Sequence, residues 1–144
     1  MSGITVDDAV ISHYNASIKP GSAPGAWMTM QLNSDKTKIV LDQHGDHQDS
    51  PNATHAALVA SLPPNGCRYA VLDFKSARGS DGQREKICFI TWAPDTSGIK
   101  EKMLIASTKD AVKKNLEGVQ IEVQATDEEE IALGQFEAAM DRFK

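Results

Sequence analysis

Two stretches, Arg68 to Lys75 and Lys86 to Ala93, constrain the fold of this chain more than any others. The first is apolar at Tyr69, Ala70, Val71, Leu72 and Phe74, the second at Ile87, Cys88, Phe89, Ile90 and Trp92. Successive side chains of a strand point to opposite faces. A strand that is apolar at both parities must therefore be covered on both faces, as central strands of layered sheets are. The link from Ser76 to Arg84 is polar and carries Gly79 and Gly82, which predicts a protruding hairpin tip. The two stretches are expected to pair antiparallel at the centre of a sheet.

The rest of the chain supplies the flanking strands and the cover. Thr5 is placed to cap a first helix with Asp7 and Asp8 in its opening turn, where carboxylates complement the helix dipole. Val6, Val10 and Tyr14 give that helix its core stripe, with Ile11 and Ile18 beside it. Pro20 to Gly25 ends it. Trp27 to Leu32 and Lys38 to Asp42 read as a hairpin about Asn33-Ser34-Asp35, with Met28, Met30, Leu32, Ile39 and Leu41 inward. His44 to Asp49 reads as a polar loop, and Ser50 with Pro51 as the start of a short helix through Leu62. Gln120 to Ala125 predicts a fifth strand. Thr126 and Glu129 then predict a capping box for a last helix with the stripe Leu133, Phe136, Met140 and Phe143. The expected architecture is α/β: one layered domain over residues 1–144, a central mixed five-stranded sheet flanked by helices on both faces, with residues 1–4 as an N-terminal arm.

A net charge of −5 argues against general affinity for nucleic acid, which needs a basic surface. Charge is nonetheless uneven: five lysines fall between Lys100 and Lys114, and Glu128, Glu129 and Glu130 form an acidic run. Cys67 and Cys88 sit in or beside apolar runs and read as buried free thiols. No apolar run is long enough to span a membrane, and no basic region followed by an apolar segment opens the chain, so a cytoplasmic protein is expected. The His44-Gly45-Asp46-His47-Gln48-Asp49 cluster has metal-ligand residue types, but a glycine-containing loop gives adjacent ligands no rigid frame. It reads as a solvated loop, with a small metal-dependent enzyme as the alternative. His13 and His55 read as packing or surface residues of helices. Neither a phosphate-cradling loop, an HExxH helix nor a nucleophile elbow is present, so no catalytic residue, metal or cofactor is assigned.

Trp92 to Gly118 carries the most informative helix. Pro94 closes the preceding strand, Asp95, Thr96 and Ser97 offer capping oxygens for a start near Ile99, and Gly118 supplies a left-handed stop. At about 100° per residue, Ile105, Thr108, Val112 and Leu116 share a core-facing stripe. Lys100, Met103, Ser107, Asp110 and Lys114 share the opposite face. Ser107 with Asp110 reads as a local backbone bond rather than a nucleophile. A methionine among lysines allows three readings: a solvated face, a lipid-headgroup site, or a protein interface with Met103 as its apolar anchor. The pattern alone leaves all three open.

Trp92-Ala93-Pro94-Asp95-Thr96, Lys102-Met103, Ala106 to Ala111 and Leu116-Glu117-Gly118-Val119 resemble the long actin-binding helix of the ADF/cofilin family and its flanks. The resemblance extends to Ser2-Gly3, to Leu62 through Ala70 and to Val123 through Asp127, so it covers almost the whole chain. It implies the actin-depolymerising-factor homology fold and a non-enzymatic, monomeric protein. That protein would bind monomeric and filamentous actin, prefer the ADP state, and promote severing and depolymerisation. Carried over, the surface shared by both forms of actin is Ser2, Gly3, Lys100, Lys102, Met103, Lys109, Asp110, Lys113 and Lys114. The filament-specific surface is Arg84 and Lys86, with Glu137 and Arg142 in the last helix. Ser2 becomes a phosphorylation candidate, and phosphoinositide headgroups become a competing ligand of the lysines. Gly98, where the family often has Pro, and Glu101, between two expected cations, depart from its pattern. A branch of the same fold that binds filaments or the branched-filament nucleating complex without severing is the alternative within the resemblance.

Overall fold

The computed structural model describes residues 3–18, 25–76 and 84–142, with backbone alone at Pro51, Lys75, Ser76, Arg84, Glu85 and Arg142. The strands are β1 (Thr5–Val6), β2 (Gly25–Leu32), β3 (Lys38–Asp46), β4 (Arg68–Ser76), β5 (Arg84–Trp92) and β6 (Val119–Ala125). The helices are α1 (Asp8–His13), α2 (Pro51–Ser61), α3 (Ile99–Lys114) and α4 (Leu133–Arg142). Among the described residues the strands form one mixed sheet in the order β1-β3-β2-β4-β5-β6.

The two-sided strands take the place their composition demands. β4 and β5 are antiparallel neighbours, paired Tyr69 to Thr91 and Phe74 to Lys86, with β2 and β6 outside them. Their alternate residues feed two separate cores. On one face Tyr69, Val71, Ile87 and Phe89 meet Val10 and Tyr14 from the first helical segment and Ile105, Val112 and Leu116 from α3. On the other, Ala70, Leu72, Phe74, Cys88 and Ile90 meet Leu58 of α2 and Phe136 and Met140 of α4. Both cysteines are free and buried. The first helical segment changes pitch: α1 passes into a π-helical turn over Tyr14–Ile18. A spacing of four overshoots an α-turn and undershoots a π-turn, so the change keeps Val10, Tyr14 and Ile18 on one stripe, all buried.

Four local expectations are corrected. The sheet has a sixth strand, because Thr5 enters β1 instead of capping a helix. Its N–H donates to the Thr37 carbonyl at 3.1 Å, and β1 runs parallel to β3. A backbone bond is thereby made at the sheet edge, and α1 starts at Asp8 behind Asp7, with no side-chain cap. The hairpin's second strand continues through Asp46, so His44, Gly45 and Asp46 are strand and not loop. There Gly45 is required: a Cβ would lie 2.6 Å from the indole of Trp27 across the ladder. α3 has Gly98 at its N-cap and no side-chain cap. The hydroxyls expected to cap it serve the turn instead, Ser97 donating to the Pro94 carbonyl at 2.6 Å and Thr96 to that of Pro64 at 3.0 Å. Before α4 it is Glu130, not Glu129, that reaches back, its Oε1 accepting from both the N–H and the hydroxyl of Thr126 at 2.7 Å. The helix then begins at Leu133 after a turn closed by the Glu130 N–H donating to Asp127. The Ser50 cap of α2 is as expected, its Oγ accepting from the Ala53 N–H at 3.1 Å. The hairpin tip and Phe143 lie outside the described residues.

Candidate functional site

α3 lies on the sheet as a fixed rod. Ile105, Val112 and Leu116 are almost fully buried beneath it. Two phenols add directional bonds: Tyr69 donates from the sheet to the Ile105 carbonyl, and Tyr14 donates to the Glu117 carbonyl just past the helix end. Burial pushes the Tyr14 phenol up to about 12, helped by Glu117 and Asp73, and raises that of Tyr69 as well, so both remain donors. Gly118 follows with φ +93°, the expected left-handed stop.

The outer side of this rod is unusual. Met103 is 66% exposed and Ile99, one turn earlier, is 78% exposed. They are the large exposed apolar side chains among the described residues. Sequence reasoning finds Met103 and misses Ile99. The spacing of four that joins them is visible in the sequence, but in the pattern Ile99 marks only the helix start. Lys100 beside this pair is exposed, as are Asp110 and Lys114 further along the helix, and Lys102, Lys109 and Lys113 are partly exposed. Ser107 bonds the Leu104 carbonyl at 3.2 Å, the local bond expected of it.

On the flank toward β6 the lysines already have an anion. Glu122 Oε1 accepts from Lys109 Nζ at 2.8 Å and its Oε2 from Lys113 Nζ at 2.5 Å. These two bonds hold the Glu122 carboxyl down at about 2. Lys102 makes a looser contact, 3.9 Å to Asp95. Between α3 and strands β5 and β6 lies an open cleft of about 210 Å³, with Lys102 and Lys109 at its rim and Thr91 and Gln124 among its lining. The only sequence signal for Glu122 is the alternation that turns Gln120, Glu122 and Gln124 away from the buried Ile121, Val123 and Ala125.

A depressed carboxyl links this cluster to pH. The unfolded state binds the proton more readily, so the contribution of Glu122 is present above about pH 4.5 and is lost as pH falls toward 2. With the groups partly exposed it amounts to about 0.2–1 kcal/mol. Urea unfolding near pH 5.5 and again near pH 3 should show wild type losing the larger part of that contribution relative to Glu122→Gln. Identical losses would mean that the bonds carry no net stability.

Of the filament-specific candidates, Lys86 and Glu137 fall on the other side of the sheet. Arg68 is opposite Trp92 and Phe74 opposite Lys86, which puts Lys86 on the face of Arg68, Phe74 and α4. Glu137 lies on α4 and is partly exposed. Arg84 opens β5 and Arg142 closes α4, but their side chains are outside the described residues, as is Ser2. Gly3 is exposed with φ +76°. The structure thus gathers Lys100 to Lys114 on one helix and sets Lys86 and Glu137 apart, across the sheet.

The histidines are dispersed. His44 stacks at 4.3 Å on His13 of α1, while His47 Nε2 lies 3.2 Å from Asp73 Oδ2. Burial, then the neighbouring His44, lowers the pKa of His13. His55 is buried and bonds the Ile131 carbonyl through Nε2 at 2.8 Å. Among the described residues no group of three or more His, Cys, Asp or Glu side chains is arranged to hold a metal ion.

The family described as cofilin/tropomyosin-type actin-binding protein matches over residues 3–140. Actophorin of Acanthamoeba castellanii is 43% identical over 132 residues, covering 92% of this chain and 91% of that protein. Cofilin of Yarrowia lipolytica is 34% identical over 142 residues, covering 98% and 86%. The crystal structure of a Streptomyces griseoflavus cofilin superposes with a TM-score of 0.86 at 32% identity, over 99% of this chain and all of that one. With the sheet, the rod-like α3 and its exposed apolar pair in view, the chain belongs to the ADF/cofilin family of actin-binding proteins.

Proposed function

We propose that this protein binds actin, both as monomer and in the filament, and drives filament severing and depolymerisation in the cytoplasm. The observation that carries this reading is Met103 and Ile99 held in solvent on a helix, packed against the sheet, that also carries five lysines. An apolar anchor ringed by charge is how a protein interface concentrates its binding energy. A solvated face has no use for two exposed aliphatic side chains one turn apart. In this reading Lys100, Lys102, Met103, Lys109, Asp110, Lys113 and Lys114 meet actin in either form, together with Ser2 and Gly3 from the arm. Phosphoinositide headgroups compete for the same lysines, and phosphorylation of Ser2 adds negative charge to the arm. One monomeric copy acts on each site, and it shifts filament stability by preferring the ADP-bound state.

A second contact distinguishes filament from monomer. Arg84 and Lys86 with Glu137 and Arg142 are its proposed residues, reaching a neighbouring actin subunit that the monomer lacks. Position supports this, since Lys86 and α4 share the sheet face opposite α3. Co-sedimentation with filaments, monomer titration and imaging of single filaments test both parts. Wild type should pellet with filaments and fragment them. Arg84→Ala with Lys86→Ala should lower filament affinity and severing while monomer affinity stays within about threefold, or ~0.7 kcal/mol. A parallel loss of both affinities would leave one continuous surface. Filaments that are decorated but never shorten would identify a binder that does not sever.

A further inference from the structure

We propose that Glu122 is a built-in competitor for the partner's carboxylates, a counter-anion on β6 that occupies Lys109 and Lys113 until the partner displaces it. The inference rests on the actin-binding reading of α3 and concerns how that surface is regulated.

The geometry is specific to this edge of the sheet. β6 is the last strand in the sheet order, and its alternation sends Ile121, Val123 and Ala125 into the core beneath α2 and α4. Glu122, of the opposite parity, is on the α3 side. Lys109 and Lys113 are one turn apart on α3, and each takes a different oxygen of the same carboxylate, at 2.8 and 2.5 Å. The Lys109, Lys113 and Glu122 side chains remain 20%, 37% and 28% exposed, so an incoming anion can reach all three. Two cations and one anion leave the trio with a single positive charge. Lys100 and Lys114, more exposed on the same helix, lie outside this cluster.

Two physical consequences follow. A partner carboxylate that pairs with Lys109 or Lys113 replaces an existing ion pair, so it gains only the difference between two anions. Exchange of this kind also makes those lysines weaker contributors to the salt dependence of binding, since Glu122 has already offset half of their charge. Acid does not open the cluster in the physiological range, because the Glu122 carboxyl is held at about 2. Opening therefore depends on a competing anion. A purely structural role would predict a loss on removal, whereas a competitor predicts a gain.

Glu122→Gln in the full chain keeps the shape and removes the charge. It should bind actin filaments roughly three- to tenfold more tightly at low salt, chiefly through a faster association rate. The gain should collapse at several hundred millimolar salt. Lys109→Ala should weaken binding more in the Glu122→Gln background than in wild type, because only there is the full charge of Lys109 available. Glu122→Asp, which keeps the charge, should stay near wild type. A direct readout is the rate at which a small amine-reactive reagent modifies Lys109 and Lys113, mapped by mass spectrometry. It should rise several-fold in Glu122→Gln while Lys100 is unchanged. Unfolding midpoints near pH 7 identify any variant whose binding changes through stability instead. If wild type fails to bind actin, the reading of α3 falls and takes this inference with it. If wild type binds and Glu122→Gln binds equally or more weakly, this inference alone is overturned.

Discussion

Met103→Ala is expected to weaken actin binding by roughly 1–3 kcal/mol, about five- to 150-fold, and to leave the midpoint of urea unfolding unchanged. The side chain is 66% exposed in the free protein, so truncating it removes little buried area from the fold. On binding, the same side chain would leave water entirely, and at about 25 cal/mol per Å² an aliphatic side chain is worth about 1.5–3 kcal/mol. Methionine suits this task because its unbranched thioether adapts to an irregular pocket. Ile99→Ala should act in the same direction, and the double variant should lose less than the sum if both residues fill one pocket. Affinity from monomer titration, with unfolding midpoints on the same preparations, gives the comparison. A Met103→Ala protein that unfolds early while binding normally would place this residue in the core.

Ile105→Ala should do the reverse, two positions along the same helix. Ile105 is 1% exposed and packs in the core with Tyr69, Phe89 and Val112. Truncation of a buried isoleucine costs about 2–5 kcal/mol, part lost transfer energy and part the cavity left behind. The bond from the Tyr69 hydroxyl goes to the backbone carbonyl of residue 105, which alanine retains, so the substitution isolates packing. Stability should fall by that amount, a large share of the roughly 5–15 kcal/mol of a typical domain. Under conditions where the variant stays folded, actin affinity should be within about threefold of wild type, or ~0.7 kcal/mol. A loss below about 1 kcal/mol, short of the cost of an ordinary core truncation, would show that α3 is seated by its tyrosine bonds and not by its apolar stripe.

The contrast between Met103 and Ile105 is legible in the sequence because helical periodicity is a strong signal over the sixteen residues of α3. The same holds for β4 and β5, whose apolarity at both parities admits only a covered, internal position. The gap at Thr5 has a different cause. A two-residue strand carries no periodicity, and whether the Thr5 N–H bonds a distant carbonyl or its hydroxyl caps a helix depends on where Thr37 sits in space. His44 and Gly45 defeat the reading for a related reason: polar residues and glycine suggest a loop, and only the adjacent Trp27 indole explains a glycine inside the ladder. In the site, Lys109 and Lys113 are implied by the family resemblance and not by the helix pattern, and their anion belongs to another element, so no local pattern joins the two. The side of the sheet taken by Lys86 requires the register with Phe74, which no single strand encodes.

The sheet separates α3 from α4 by a full layer, with Tyr69, Ala70, Val71 and Leu72 of β4 packed at 0% exposure on its two faces. Residues on opposite faces of such a partition share no side-chain contact, and substitutions that share no partner have additive effects. In the proposed reading, where α3 meets both forms of actin and the α4 face meets the filament alone, substitutions on the α4 face change the ratio of filament to monomer affinity without changing monomer affinity itself. On that reading the two affinities can be tuned separately, provided that neither face draws on the common reserve of stability in Tyr69 to Phe74.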